Sequence, residues 1–176
     1  MQRKAVFLDR DGVINETVVI NGKPYPPGTL DEMRVSADVL PALISLKKAG
    51  FLLIGATNQP DVARGKTERE VVESINQYLL AKLPLDEIYV CYHDDVDQCL
   101  CRKPGPGLLL KAAKQHGIDL SKSFMVGDRW KDIAAGKRAG CRTIWLDYHY
   151  QEPFLTAAPD FTTATLMGAA SWIVNC

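Results

Sequence analysis

Ala5-Val6-Phe7-Leu8-Asp9-Arg10-Asp11-Gly12 runs four apolar residues straight into two acids and a glycine. A half-wet strand would alternate apolar and polar residues, whereas a continuous run fits a strand buried on both faces. Leu52-Leu53-Ile54-Gly55-Ala56, Ile88-Tyr89-Val90-Cys91, Phe124-Met125-Val126 and Thr143-Ile144-Trp145-Leu146 repeat the pattern. Between them the apolar spacing turns helical, in Val39, Leu40, Leu43 and Leu46, in Val71, Val72, Ile75, Tyr78 and Leu79, and from Leu108 to Ala113. Thr67-Glu68-Arg69-Glu70 is expected to open the second of these helices as a capping box. Gly50, Gly117 and Gly140 stand where a left-handed residue ends a helix. Strand and helix in alternation predict an α/β domain with a mostly parallel sheet. Residues 17–33, with Gly22, Pro24, Pro26, Pro27 and Gly28, break the rhythm and read as one long loop of functional importance.

Composition bounds the rest. The chain has 176 residues, 47% hydrophobic and 24% charged, which suits one domain over residues 1–176 and excludes intrinsic disorder. Its 21 basic and 21 acidic residues leave no net charge, which argues against a nucleic-acid partner. No apolar run approaches membrane length, and Met1-Gln2-Arg3-Lys4 lacks a signal peptide's apolar stretch, so a soluble, cytoplasmic protein is expected. Five cysteines are an odd number, and three crowd one segment, unlike a secreted disulfide framework.

In a parallel sheet, ligands bind beyond the carboxyl ends of the strands. After the first run stand Asp9 and Asp11, two apart and so on one side of an extended chain, unless Asp11-Gly12 is merely a turn. After the second stand Thr57-Asn58-Gln59, alternatively a cap or turn. After the third come Cys91-x-His93 and Cys99-x-Cys101, whose three thiolates and one imidazole can close a tetrahedron around Zn²⁺. Four protein ligands leave no open position, so that metal would brace a loop; buried thiols or a redox pair are the alternatives. Arg102 and Lys103 follow directly, a fork and a point charge for a phosphate or else a solvated basic pair. After the fourth run stand Gly127-Asp128-Arg129, with Asp132 one turn on as an orienting or capping acid. Cys141 reads as core, Cys176 as a terminal thiol, and His116 and His149 have no evident partner.

Together, Asp9, Asp11, Asp128, Lys103 and Thr57 form an oxygen-rich set that suits a hard ion, hence Mg²⁺. A hard cation beside Lys and Thr suits a phosphoryl group. Asp nucleophiles can form aspartyl-phosphates, and a second Asp can give a proton to the leaving alkoxide and then activate water.

Asp9-x-Asp11-Gly12-Val13-Ile14-Asn15, Thr57-Asn58-Gln59, Arg102-Lys103-Pro104 and Gly127-Asp128-x3-Asp132 resemble, in order, the four motifs of the haloacid dehalogenase (HAD) superfamily of phosphatases. The Cys-x-His and Cys-x-Cys insertion resembles its small capless branch of heptose-bisphosphate and histidinol-phosphate phosphatases. Pro60-Asp61 stands where that branch commonly has Ser-Gly, ahead of a shared Ala63-Arg64-Gly65. The resemblance implies a three-layer Rossmann-like fold with a small zinc-binding loop and no cap domain. It implies Asp9 as nucleophile, Asp11 as general acid/base, and Thr57 and Lys103 on the phosphoryl group. Mg²⁺ would take the Asp9 and Asp128 carboxylates and the Asp11 backbone carbonyl, with Asp132 behind them. Asn58, Gln59, Arg102 and Arg129 are the expected substrate contacts. The expected partner is a small phosphorylated metabolite, a heptose bisphosphate before histidinol phosphate, with no membrane partner and a monomeric chain. The opposing class is a non-catalytic zinc-stabilised binding module, which Mg²⁺-dependent phosphate release would exclude.

Overall fold

A computed structural model describes residues 2–151 and 157–176; Met1 of the opening segment lies outside them. Its elements are β1 (Ala5–Leu8), β2 (Val18–Ile20), β3 (Lys23–Tyr25), α1 (Val39–Lys48), β4 (Leu52–Asn58), α2 (Pro60–Ala63) and α3 (Arg69–Lys82). There follow β5 (Glu87–Cys91), α4 (Gly107–His116), β6 (Phe124–Gly127), α5 (Trp130–Ala139), β7 (Arg142–Leu146), β8 (Phe161–Thr163) and α6 (Leu166–Val174).

Six strands pair in the order β5-β4-β1-β6-β7-β8, every pair parallel. The continuous apolar run of β1 is explained by its central place. Val6 and Leu8 pack with α1, α3 and α6, while Ala5 and Phe7 pack against α4 and Ala139 at the end of α5. The result is three layers, helix on sheet on helix. The chain leaves β1 towards β4 on one side and returns from β5 to β6 on the other, so the order of connection reverses between β1 and β6. A crevice opens at such a reversal, beyond the strands' carboxyl ends. Asp9 and Asp128 stand at that crevice, and the Asp9 amide donates to the Val126 carbonyl at 3.0 Å.

Two local expectations are corrected. Residues 17–33 are not one loop, because β2 and β3 form an antiparallel hairpin. Asn21 and Gly22 turn it with φ of 49° and 74°, the pair of positive angles a tight two-residue hairpin needs. The capping box at Thr67 does not form: α3 starts at Arg69 with Glu68 as its extended N-cap. The Lys66 and Thr67 amides bond back to the Asp61 carbonyl at 2.8 and 3.3 Å, which ties Thr67 to α2 instead. Beyond these, β8 and α6 had no expected counterpart. Phe161 and Trp172 join them by stacking at 5.0 Å and 3°.

Gly50, Gly117 and Gly140 are left-handed as expected, at φ of 84°, 65° and 86°. Among the described residues no helix is long and apolar enough to cross a membrane.

Candidate active site

β1 ends at Leu8, and the next backbone turns tightly: the Ile14 and Asn15 amides both donate to the Arg10 carbonyl, at 2.8 and 3.0 Å. This places Asp9 against the sheet and swings Asp11 outward. Gly12, at φ 94°, has no Cβ because one would fall on the Asp128 carboxylate. Absence of a side chain there is what lets β1 and β6 present their acids to the same point.

Oxygens of Asp9, Asp128 and Asp132 lie within 4.8 Å of one another. Lys103 Nζ stands 2.8 Å from Asp9 and 2.6 Å from Asp132. All four residues are buried. Burial alone would favour the neutral amine of Lys103, yet Asp132 and Asp9 hold its pKa above the ordinary range. Burial, with Asp132 adding repulsion, pushes the Asp9 carboxyl up to about 7 against the pull of Lys103. Burial likewise drives Asp128 well above its usual range, with Asp9 next in effect. Both Asp128 carboxylate oxygens lack a hydrogen-bond partner among the described residues. Buried carboxylate oxygens without donors are costly, and a hard divalent cation is the ligand that this acid set fits. Asp132 also accepts from the Arg129 amide at 3.0 Å, so it caps α5 while it holds Lys103.

Asp11 lies outside this carboxylate group. Arg10 Nη2 donates to its two oxygens at 3.0 Å each, Asn15 donates at 3.0 Å, and Gln59 Nε2 donates at 2.6 Å. Gln59 also reaches the hydroxyl of buried Thr57 at 2.9 Å. Asn58 faces the other way: its amide donates to the Lys103 carbonyl at 2.9 Å and its oxygen accepts the Lys103 amide at 3.0 Å. Arg102, 9% exposed, donates through Nε to Asp95 at 2.7 Å. Asp9, Asp11, Asn58, Gln59, Arg102, Lys103, Asp128 and Arg129 line one cavity of about 340 Å³, with Thr17 and Lys23 to Pro26 of the hairpin segment at its rim.

The Cys/His quartet forms its own group, ending one residue before Arg102 of the cavity wall. Sulfurs of Cys91, Cys99 and Cys101 lie 3.3–3.7 Å apart, and His93 Nδ1 lies 3.6 and 3.2 Å from Cys91 and Cys101. A tetrahedron with metal–sulfur bonds of about 2.3 Å has edges of roughly 3.8 Å, so the quartet could hold such an ion. Burial raises the Cys91 thiol above its usual range, whereas the Arg102 amide and the neighbouring thiols bring Cys99 down to about 7 against its burial.

Several functional neighbours had no reading in the sequence. Arg10 is 1% exposed and links Asp11 to Asn76 of α3, at 3.0 Å from Nη1. Asn76 was visible as the polar member of a face shared with Val72, Ile75 and Leu79. Asp94 and Asp95, which hold Arg64 and Arg102, sit on a 3-10 turn inside the quartet's loop. His116 does have partners, Glu87 at 2.7 Å and Tyr89 at 3.3 Å.

Residues 100–166 match the HAD-hydrolase-like family model. The chain is 38% identical over 143 residues to a D-glycero-β-D-manno-heptose-1,7-bisphosphate 7-phosphatase of Helicobacter pylori, covering 77% of this chain and 79% of the relative. The protein of the same name from Escherichia coli K12 is 36% identical over 183 residues, covering 97% and 88%. Among solved structures, a D,D-heptose 1,7-bisphosphate phosphatase from B. bronchiseptica complexed with magnesium and phosphate matches at a TM-score of 0.79 and 27% identity. It covers 98% of both chains. From the parallel sheet, the acids at its carboxyl edge and these relatives, the chain belongs to the HAD phosphatase family, hydrolases of phosphate monoesters.

Proposed function

We propose that this chain, acting as one domain, removes the 7-phosphate of D-glycero-D-manno-heptose 1,7-bisphosphate in a Mg²⁺-dependent reaction. The observation that carries the reading is the meeting of Asp9, Asp128, Asp132 and Lys103 at the floor of a cation-lined cavity. The sugar is supported by the names of relatives that align with most of the chain.

Asp9 attacks phosphorus, and the bond from phosphorus to the sugar oxygen breaks. Lys103 neutralises charge on the phosphoryl oxygens while Asp132 and Asp9 keep its ammonium in place. Asp11 gives its proton to the leaving alkoxide. It then takes one from water as that water displaces Asp9 from phosphorus, releasing inorganic phosphate. Thr57, braced by Gln59, and the cations Arg102 and Arg129 bind the substrate's oxygens. Mg²⁺, held by Asp9, Asp128 and the Asp11 carbonyl, supplies charge neutralisation and orientation when bound. Cys91, His93, Cys99 and Cys101 would hold Zn²⁺, which would fix the loop that ends at Arg102; the closeness of their four ligand atoms, within 4.8 Å of one another, supports this.

The test compares kcat/KM on heptose 1,7-bisphosphate, histidinol phosphate and hexose phosphates, with and without Mg²⁺. The bisphosphate should lead, and Asp9→Asn should abolish its turnover while circular dichroism stays unchanged. Higher kcat/KM on histidinol phosphate would reassign the substrate, and phosphate release without Asp9 would reject the chemistry.

A further inference from the structure

One exposed acid sits among the cavity's cations without any part in the chemistry above. Asp95 is on the 3-10 turn between His93 and Cys99, and its side chain is 66% exposed. Its Oδ1 lies 2.7 Å from Arg102 Nε and 4.0 Å from Lys131 Nζ, and its Oδ2 lies 3.8 Å from Arg64 Nη2. Three cations from three separate elements therefore meet on one carboxylate: the C-cap of α2, the segment after the quartet and the first turn of α5. All four side chains line the same cavity as Asp9 and Lys103.

The two sides of this contact differ in exposure. Arg102 is 9% exposed, and its amide donates to Cys99 Sγ at 3.4 Å while Nη1 donates to the His93 carbonyl at 3.4 Å. Arg64 is held independently by Asp94, which accepts from its Nε at 2.8 Å. Asp95 faces water, so its carboxylate can swing out and be rehydrated, while Arg102 and Arg64 keep their other partners for an incoming anion. A fork with further positive charges beside it matches a phosphate better than a single carboxylate.

We propose that Asp95 is a built-in stand-in for a second phosphate, which displaces it from Arg102, Lys131 and Arg64 when a bisphosphorylated substrate binds. The inference deepens the bisphosphatase reading and rests on it for the natural ligand. Asp95 holds the cationic wall in shape in the free enzyme; the second phosphate of a bisphosphate must compete with it for Arg102, Lys131 and Arg64, whereas a ligand that bears only one phosphate leaves it in place. It thereby sets preference between bisphosphates and monophosphates without touching the reacting atoms.

The experiment measures competitive inhibition of p-nitrophenyl phosphate hydrolysis by fructose 1,6-bisphosphate and fructose 6-phosphate, on enzyme loaded with its metals. These probes read the wall whatever sugar is natural, so a failed heptose assignment stays separate from a failed role for Asp95. In Asp95→Asn the inhibition constant of the bisphosphate should fall about two- to fivefold relative to that of the monophosphate. In Arg64→Gln the same ratio should move the opposite way. An unchanged ratio in Asp95→Asn, or one that moves against the bisphosphate, overturns the proposal. So does an Arg64→Gln ratio equal to the parent's.

Discussion

The side-chain amide of Asn58 and the peptide of Lys103 clasp each other, one hydrogen bond in each direction, at 2.9 and 3.0 Å. Through this pair β4 sets the height at which the Lys103 ammonium meets Asp9. Asn58→Ala leaves two peptide groups without partners and lets that ammonium drift. A displacement near 1 Å costs roughly 100-fold in rate. The expected result is a fall of about 10- to 100-fold in kcat on p-nitrophenyl phosphate, with far less change in KM. Steady-state kinetics checks it, and an equal loss in both parameters would count against the clasp as a positioning device.

Arg10 presents a related case inside the core. Its Nη1 has Asn76 as acceptor at 3.0 Å, and its Nε and Nη2 face Asp11. Asn76→Leu removes one acceptor from a buried guanidinium, a loss of about 1–3 kcal/mol. For a chain this size each kcal/mol corresponds to about 2–4 °C in Tm. Thermal denaturation should show that drop, whereas the same change at exposed Gln77 should not.

Chelation tests the zinc proposed for the Cys/His quartet. An ion present at about 1,000 times its Kd adds about 4 kcal/mol to stability. Treatment with a strong chelator should therefore lower Tm by about 8–16 °C. Mass spectrometry under native conditions should find one zinc per chain, and Cys99→Ser should reproduce the chelated melting curve. A parent-like melt for both would remove the metal from this site.

Asp160, which belongs to neither candidate metal group, gives a pH dependence of its own. Burial pushes its carboxyl up, but the Lys137 ammonium and the Thr143 amide and hydroxyl outweigh this and hold its pKa below the usual range. Its Oδ2 accepts from Lys137 at 2.7 Å and from the Thr143 amide at 2.6 Å, joining α5 to β7. A depressed folded pKa stabilises above the unfolded value of about 3.9, and the gain is lost as pH falls through the lower folded value. Asp160→Asn should cost no more than about 1 kcal/mol at neutral pH, since the group is well exposed. Urea denaturation should show the gap closing below about pH 4.

The apolar runs made the parallel sheet legible, and the residues just past them made most of the cavity legible. Five strands could be read because each is a continuous apolar run, fully buried in β1 and β6 and partly so in edge strand β5, and the strand-end rule then singled out Asp9, Thr57, Cys91 and Asp128. The β2–β3 hairpin was hidden because its strands are short and exposed, with Pro24 inside one, although Asn21-Gly22 carried the turn signal. Arg10 was hidden for another reason: nothing local distinguishes a buried cation from a solvated one when its partner, Asn76, lies 66 positions away. Thr67 misled because its hydroxyl and Glu70 satisfy the capping pattern, while backbone bonds to Asp61 decide where α3 begins.

The Glu16 amide bonds to the Arg34 carbonyl at 2.9 Å, so the hairpin segment enters and leaves the domain at a single doorway. An insert tethered that way can lengthen, shorten or change its chemistry without disturbing the strands behind it. Selection for a new sugar can therefore rewrite the rim one piece at a time while the phosphoryl-handling floor stays as it is.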